Sequence, residues 1–217
     1  MYSRHELAWL SSRGWDAAIE RAQPGQRDAI ALWRRQDWPA VVRRADAGLA
    51  PGQGSLGIPL PPASDGTKGR IALNVLEADI ARRDLPLALA DAAQAAPERW
   101  RTSLAELVMG SSGLALRVYG SLAMEAITGQ SYLTPASDID LLFAPSDTAS
   151  LDEGLLLLEQ YATLLPLDGE IVFPSGAAVA WKEWLGAAPM QSRVLVKNAG
   201  AVRLASIAEL TATLEPA

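Results

Sequence analysis

The sequence predicts an α+β protein: a small, mainly β amino-terminal domain, then a domain with a mixed sheet flanked by helices. Three observations point there. Short apolar runs bounded by Gly and Pro recur along the chain. Stretches of helical period follow Pro86. In the second half, a strand, a Gly-Ser turn, a helix and a second strand succeed one another, and the second strand carries Asp138 and Asp140.

The first part is rich in Trp and Arg, with Trp9, Trp15, Trp33 and Trp38 and the pairs Arg34-Arg35 and Arg43-Arg44. Residues 40–44 read as a strand. Residues 52–69 are crowded with Gly and Pro, including Pro59-Leu60-Pro61-Pro62, and read as loop and turns. Residues 70–76 read as another strand. These elements assign residues 1–85 to the first domain and 86–217 to the second. Pro86 and the alanines after it suggest a linker passing into a helix over 87–95. Pro97 in a first turn starts a second helix, which runs through Leu104, Leu107 and Val108 toward Gly110 or Gly113.

Residues 115–120 form a strand and 122–128 a helix, with Gly129 near its C-cap. The strand with the aspartates covers 138–143. Leu155, Leu158, Tyr161, Ala162 and Leu165 share one face of a helix over 151–165. Residues 169–173 make a third strand, which Pro174-Ser175-Gly176 turns back into 177–181. Residues 193–197 and 201–204 pair across Asn198-Ala199-Gly200, a hairpin signal. A final helix covers 207–214. There is no internal repeat.

Composition excludes several classes. The chain has 217 residues, of which 49% are hydrophobic, so it can bury a core. The net charge of −6 argues against nucleic acid or an anionic membrane as partner. The absence of cysteine excludes disulfides, zinc-thiolate sites and a thiol nucleophile. The amino terminus lacks the apolar run of a signal peptide. No segment approaches the roughly 20 apolar residues of a membrane span. A cytoplasmic protein is expected.

The chemistry-bearing residues are Gly120, Ser121, Asp138 and Asp140. Glycine lets backbone approach an oxyanion, the serine hydroxyl donates to it, and the following helix start adds N–H groups and partial positive charge. Strand residues two apart share a face. Two carboxylates on one face repel unless a cation lies between them. Mg²⁺ suits the pair, because it completes its shell with water and substrate phosphate. A third carboxylate is expected on a neighbouring strand. Glu170 is preferred because it sits inside strand 169–173, whereas Asp168 precedes a glycine in what reads as turn; the choice stays open. Arg117, Lys182 and Lys197 are candidate phosphate ligands. Ser137 either binds phosphate or caps a turn. His5, the lone histidine, lies far from the motif and reads as a packing or surface residue. Trp181 and Trp184 are candidates to stack on an adenine.

The residues Gly120, Ser121, Asp138, Asp140 and Glu170 resemble the nucleotidyltransferase superfamily that includes DNA polymerase beta. One departure is the longer gap from Ser121 to Asp138, whose insert, residues 130–136, would form a loop over the site. A closer resemblance spans nearly the whole chain. Arg117-Val118-Tyr119-Gly120-Ser121-Leu122-Ala123, Ser137-Asp138-Ile139-Asp140-Leu141-Leu142, Asp168-Gly169-Glu170 and Ala180-Trp181-Lys182-Glu183-Trp184 carry it, with Arg4-His5-Glu6-Leu7-Ala8-Trp9-Leu10 at the start. They are similar to the holo-acyl-carrier-protein synthases of malonate decarboxylase, a phosphoribosyl-dephospho-CoA transferase family.

That resemblance implies a nucleotidyltransferase-like catalytic domain and an amino-terminal domain that recognises substrate or carrier. It implies transfer of phosphoribosyl-dephospho-CoA from a triphosphoribosyl-dephospho-CoA donor to a serine of the apo acyl carrier subunit, with pyrophosphate leaving. Asp138, Asp140 and Glu170 would hold one or two Mg²⁺ ions. Carrier proteins are usually acidic, so Arg34-Arg35, Arg43-Arg44 and Arg82-Arg83 are candidates for a docking face, against a plain solvated one. Two other readings stand beside this one: a nucleotidyltransferase that transfers AMP to a small molecule or protein, and a non-catalytic nucleotide-binding module.

Overall fold

The computed structural model describes residues 3–187, 193–198 and 200–214. The chain forms two compact units, Met1–Pro86 with Gln130–Tyr132, and Leu87–Gly129 with Leu133–Ala217.

The first unit is an antiparallel sheet with two helices. It runs β1 (Leu7–Leu10), α1 (Ser12–Arg21), α2 (Arg27–Arg35), β2 (Ala40–Val42), β3 (Gln53–Pro59), β4 (Arg70–Leu76) and β5 (Ile80–Asp84), with sheet order β4-β3-β2-β1-β5. β4 alternates fully: Ile71, Leu73 and Val75 are buried and the residues between them exposed. This is the half-buried strand that period-2 patterning forecasts. The Ser11 side chain accepts from the Gly14 N–H and caps α1. α2 turns Ile30 and Trp33 inward, and the Trp33 indole donates to the Pro39 carbonyl at 3.1 Å.

Residues 53–59 are a strand, not the loop that their glycines and prolines predict. Leu56 and Ile58 are wholly buried, and β3 is paired on both sides, with β2 and β4. Tertiary pairing and burial override the low strand propensity of Gly. The two helices also go unforecast, since their apolar positions are widely spaced among charges. His5 occupies a turn at φ 71, and its backbone N–H donates to the Val42 carbonyl.

The arginine pairs are tied into this unit. Arg34 meets Asp16, Arg43 meets Asp46 and the Leu56 carbonyl, Arg82 stacks over Trp9, and Arg83 meets Glu6. Part of the 130–136 insert also packs here: Tyr132 is buried and its phenol donates to the Pro59 carbonyl at 2.9 Å. Tyr132 is therefore a packing residue, whereas the sequence placed the whole insert in a loop over the site.

The second unit is a mixed sheet of order β12-β11-β10-β9-β8-β7-β6. Its elements are β6 (Leu87–Ala88), α3 (Leu89–Ala92), α4 (Glu98–Gly110), β7 (Leu116–Tyr119), α5 (Gly120–Thr128), β8 (Ile139–Phe143), α6 (Thr148–Tyr161), β9 (Leu167–Val172), β10 (Ala178–Ala180), α7 (Trp181–Gly186), β11 (Arg193–Lys197), β12 (Val202–Ser206) and α8 (Ile207–Thr211). Among the described residues, neighbouring strands are antiparallel except β8 and β9, which run parallel with α6 as the crossover.

One face of the sheet is apolar. Val118, Ile139, Leu141, Phe143, Ile171, Val179 and Val196 join Leu104, Leu107, Leu122, Leu155 and Leu158 of the helices in a single core. Trp181 and Trp184 belong to that core, 3% and 8% exposed, with Trp184 against Phe173. They are not placed to stack on an adenine. Residue 181 begins a helix, so Lys182 lies on α7 and not on a strand. Ala199 of the hairpin turn lies outside the described residues, while β11 and β12 pair as expected over Arg193–Lys197 and Val202–Ser206.

α6 starts on a reciprocal cap: the Ser150 N–H donates to Asp147 Oδ1 at 2.7 Å, and the Asp147 N–H donates to Ser150 Oγ at 3.2 Å. The Ser150 N–H is the largest influence holding the Asp147 carboxyl below the ordinary aspartate range. A lowered native value means the stabilisation is present above the unfolded value of about 3.9 and is lost as pH falls through the lower native one. Asp147→Ala is therefore expected to lower Tm at about pH 7, and the gap to the unsubstituted protein to narrow as pH falls below the ordinary aspartate value of about 3.9. Calorimetric melts across that range check it, and a gap independent of pH would count against the carboxylate cap.

Candidate active site

The face of the sheet opposite the core carries the charged residues. In register, Tyr119 of β7 lies opposite Asp140 of β8, and Asp140 lies opposite Asp168 of β9. Residues paired across adjacent strands point to the same face, as do residues two apart. Arg117 therefore joins Tyr119, and Glu170 joins Asp168, on the side that bears Asp140. Cations border the carboxylates: the Lys182 Nζ is 3.7 Å from Asp168 Oδ1, and the Lys197 Nζ is 3.1 Å from Glu170 Oε1.

Gly120 fits beneath this row. It is the first residue of α5, follows β7 directly, and has φ 71. A Cβ built on it would lie 2.1 Å from Asp140 Oδ2, so any side chain would collide with that carboxylate. The glycine thus serves two needs, a left-handed turn and close approach of the Asp140 oxygen to backbone. Ser121, at the same helix start, is 7% exposed.

Asp138 is exposed and lies just before β8, whose ladder is preceded by the Ile139 N–H donating to the Pro166 carbonyl at 2.8 Å. The turn before it is closed by Ser137. Its hydroxyl accepts from the Thr134 N–H at 2.9 Å and its N–H donates to the Thr134 carbonyl at 3.0 Å. Of the two roles open to Ser137, turn capping is the one the geometry displays. Leu133 is held where the insert returns, its N–H donating to Glu125 Oε2 at 2.8 Å.

The alternatives for a third carboxylate are separated by register. Asp168 belongs to β9 and not to a turn, because the strand begins at Leu167. Gly169, which made the position look like a turn, is instead a close-packing residue: its φ is 134 and a Cβ would lie 1.9 Å from the Leu141 carbonyl oxygen. Asp168 faces Asp140 directly, whereas Glu170 faces Leu142 and is paired with Lys197. The register thus sets Asp168, and not Glu170, opposite Asp140. Tyr119, opposite Asp140, is a face residue that the motif alone did not single out. Its position two residues after Arg117 in a strand was the available signal.

Among the described residues, no group of three or more His, Cys, Asp or Glu side chains is gathered so as to hold a metal. The donors here are hard carboxylate oxygens beside a glycine turn at a helix start. That set fits Mg²⁺, which uses one or two carboxylates and leaves the remaining positions to water and substrate phosphate. No helix among the described residues is long and apolar enough to cross a membrane.

A mixed α+β domain with a glycine turn under strand carboxylates and cations at their flanks has the equipment of an enzyme that transfers phosphorylated groups. Comparison with known proteins is consistent along the chain. Residues 3–86 match the phosphoribosyl-dephospho-CoA transferase MdcG N-terminal domain, and residues 88–208 the MdcG C-terminal domain. The chain belongs to the phosphoribosyl-dephospho-CoA transferase family, and it is a transferase. A protein of that name from Xanthomonas campestris pv. campestris (strain 8004) is 38% identical over 208 residues, 94% of this chain and 94% of its own. One from Bradyrhizobium diazoefficiens is 37% identical over 204 residues, 90% of this chain and 86% of its own. One from Pseudomonas putida (strain W619) is 31% identical over 169 residues, 76% and 78% of the two chains. No solved structure matches significantly. Membership of a transferase family sets aside the non-catalytic reading.

Gly120→Ala tests the turn beneath Asp140. A left-handed alanine costs about 1–2 kcal/mol, and its methyl would displace the Asp140 carboxylate. The variant is expected to melt a few degrees lower and to lose nearly all transfer activity. Retained activity with unchanged Tm would show that Asp140 does not need to sit over this turn.

Proposed function

We propose that the chain transfers the 2′-(5″-phosphoribosyl)-3′-dephospho-CoA unit from its 5″-triphosphate donor to a serine of the acyl carrier subunit of malonate decarboxylase. The observation that carries this reading is the Gly120 turn beneath Asp140, beside Asp168 in register. The family description supports the transferred unit. Donor and acceptor follow from the resemblance of the chain to the synthases of that decarboxylase.

In this reading the carrier serine Oγ attacks the α-phosphorus of the donor. A new P–O bond forms, the bond to the β-phosphate breaks, and pyrophosphate leaves with the electron pair. Asp138 and Asp140 would hold Mg²⁺, with Asp168 opposite Asp140 in register; when bound, the ion would neutralise phosphate charge and acidify the attacking hydroxyl. Gly120 and Ser121 offer the N–H groups of the α5 start and a hydroxyl to the phosphate oxygens. Arg117, Lys182 and Lys197 offset charge that builds on the leaving group. The serine proton passes to a carboxylate of the same face. The nucleophile belongs to the partner, so His5 has no step to perform. The amino-terminal unit is left to recognise donor or carrier.

The first test is the intact mass of the apo carrier after incubation with the protein, Mg²⁺ and triphosphoribosyl-dephospho-CoA. A gain equal to the phosphoribosyl-dephospho-CoA unit is expected. A gain of AMP with ATP as donor, and none with the CoA-derived donor, would overturn the reading. Asp138→Ala and Asp140→Ala are each expected to abolish the gain with Tm little changed, and chelation of the metal to do the same. Undiminished turnover in either variant would remove the metal assignment.

A further inference from the structure

Glu170 and Lys197 meet across a strand to which neither belongs. Glu170 is on β9 and Lys197 on β11, with β10 between them. Two strand spacings separate their backbones, about 10 Å. On β10, Ala180 lies opposite Glu170 and Ala178 opposite Lys197. The middle strand therefore presents only methyl groups on this side. Over them the Lys197 Nζ reaches Glu170 Oε1 at 3.1 Å. The glutamate side chain is 4% exposed and the lysine side chain 40%. A buried carboxylate thus holds an ammonium that still faces solvent.

Stability alone is a poor reason for this arrangement. Ion pairs taken out of water gain little over apolar groups that fill the same space. The place is informative instead. Glu170 is two residues from Asp168 on one strand, so the ammonium is fixed on the face that carries Asp140 and Asp168. An ammonium has three N–H donors, of which one is directed at Glu170, and as a compact point charge it suits phosphate oxygens. In register Glu170 stands beside Leu142 and not beside Asp140, which is poor placement for a metal ligand there.

We propose that Glu170 is a positioning residue. It holds the Lys197 ammonium over Ala178 and Ala180, and that ammonium receives the terminal phosphates of the donor and the pyrophosphate they become. The lysine supplies charge and hydrogen bonds. The inference rests on the transfer reading above for the identity of the anion.

The test is calorimetric titration of the full chain with inorganic pyrophosphate in the presence of Mg²⁺, and separately with Mg²⁺ alone. Lys197→Met removes the charge at an exposed position and is expected to weaken pyrophosphate binding about tenfold or more. Glu170→Gln is expected to weaken it in the same direction and to leave affinity for Mg²⁺ alone unchanged. The double variant is expected to bind no more weakly than Lys197→Met, because the glutamate acts through the lysine. Unchanged pyrophosphate affinity in Lys197→Met would overturn the proposal, as would additive losses in the double variant or a loss of Mg²⁺ affinity in Glu170→Gln. Unchanged pyrophosphate affinity in Glu170→Gln would likewise overturn it; should that variant fail to fold, Glu170→Asp takes its place, since a carboxylate shortened by one methylene draws back from Lys197 and the same loss of pyrophosphate affinity is expected. The carrier is absent from these titrations, so a failed mass experiment and a failed positioning role are told apart.

Discussion

The second unit depends on the parallel pairing of β8 with β9 inside an otherwise antiparallel ladder. A parallel neighbour cannot be reached by a tight turn, so α6 must cross over and lie on the sheet. The helix fills the apolar face and leaves the opposite one to polar residues. The same pairing fixes register, and register decides which side chains stand together. A slip of one residue would send Asp168 into the core and turn Ile171 outward. Gly169 allows the two backbones to come close enough for this pairing, since a side chain there would strike Leu141.

The mixed α+β class was legible in the sequence because most strands and helices of the second unit, and β4 of the first, carry clean periods. Leu155 and Leu158 mark α6, and the run from Arg70 to Leu76 marks β4 to the residue. The Gly-Ser and Asp-x-Asp pieces could be read because each has a local physical requirement. What escaped was set by distant partners. β3 is a strand because β2 and β4 hold it on both sides, which no local propensity records. That Asp168 and not Glu170 lies opposite Asp140 needed the β8–β9 register, and Gly169 beside it looked like a turn while acting as a packing residue. The tryptophans at 181 and 184 looked available for ligand because their burial is decided by the whole core.

The charged face alternates in sign within a protein of net charge −6. Carboxylates occupy the middle strands, with Arg117 on one side and Lys182 and Lys197 on the other. A ligand that brings both a divalent cation and phosphate matches this alternation. A bare polyanion such as nucleic acid would meet the carboxylates unshielded. The amino-terminal arginines do not alter this, since members of each pair are engaged within their own unit.

The alanines of β10 illustrate a tension between what a strand prefers and what it must permit. Valine or threonine would suit an interior strand better than alanine, by up to about 1 kcal/mol on host scales. At positions 178 and 180 such bulk would stand in the path between β9 and β11. Selection for thermal robustness alone would push these two sites toward branched residues, and the open path from β9 to β11 would close.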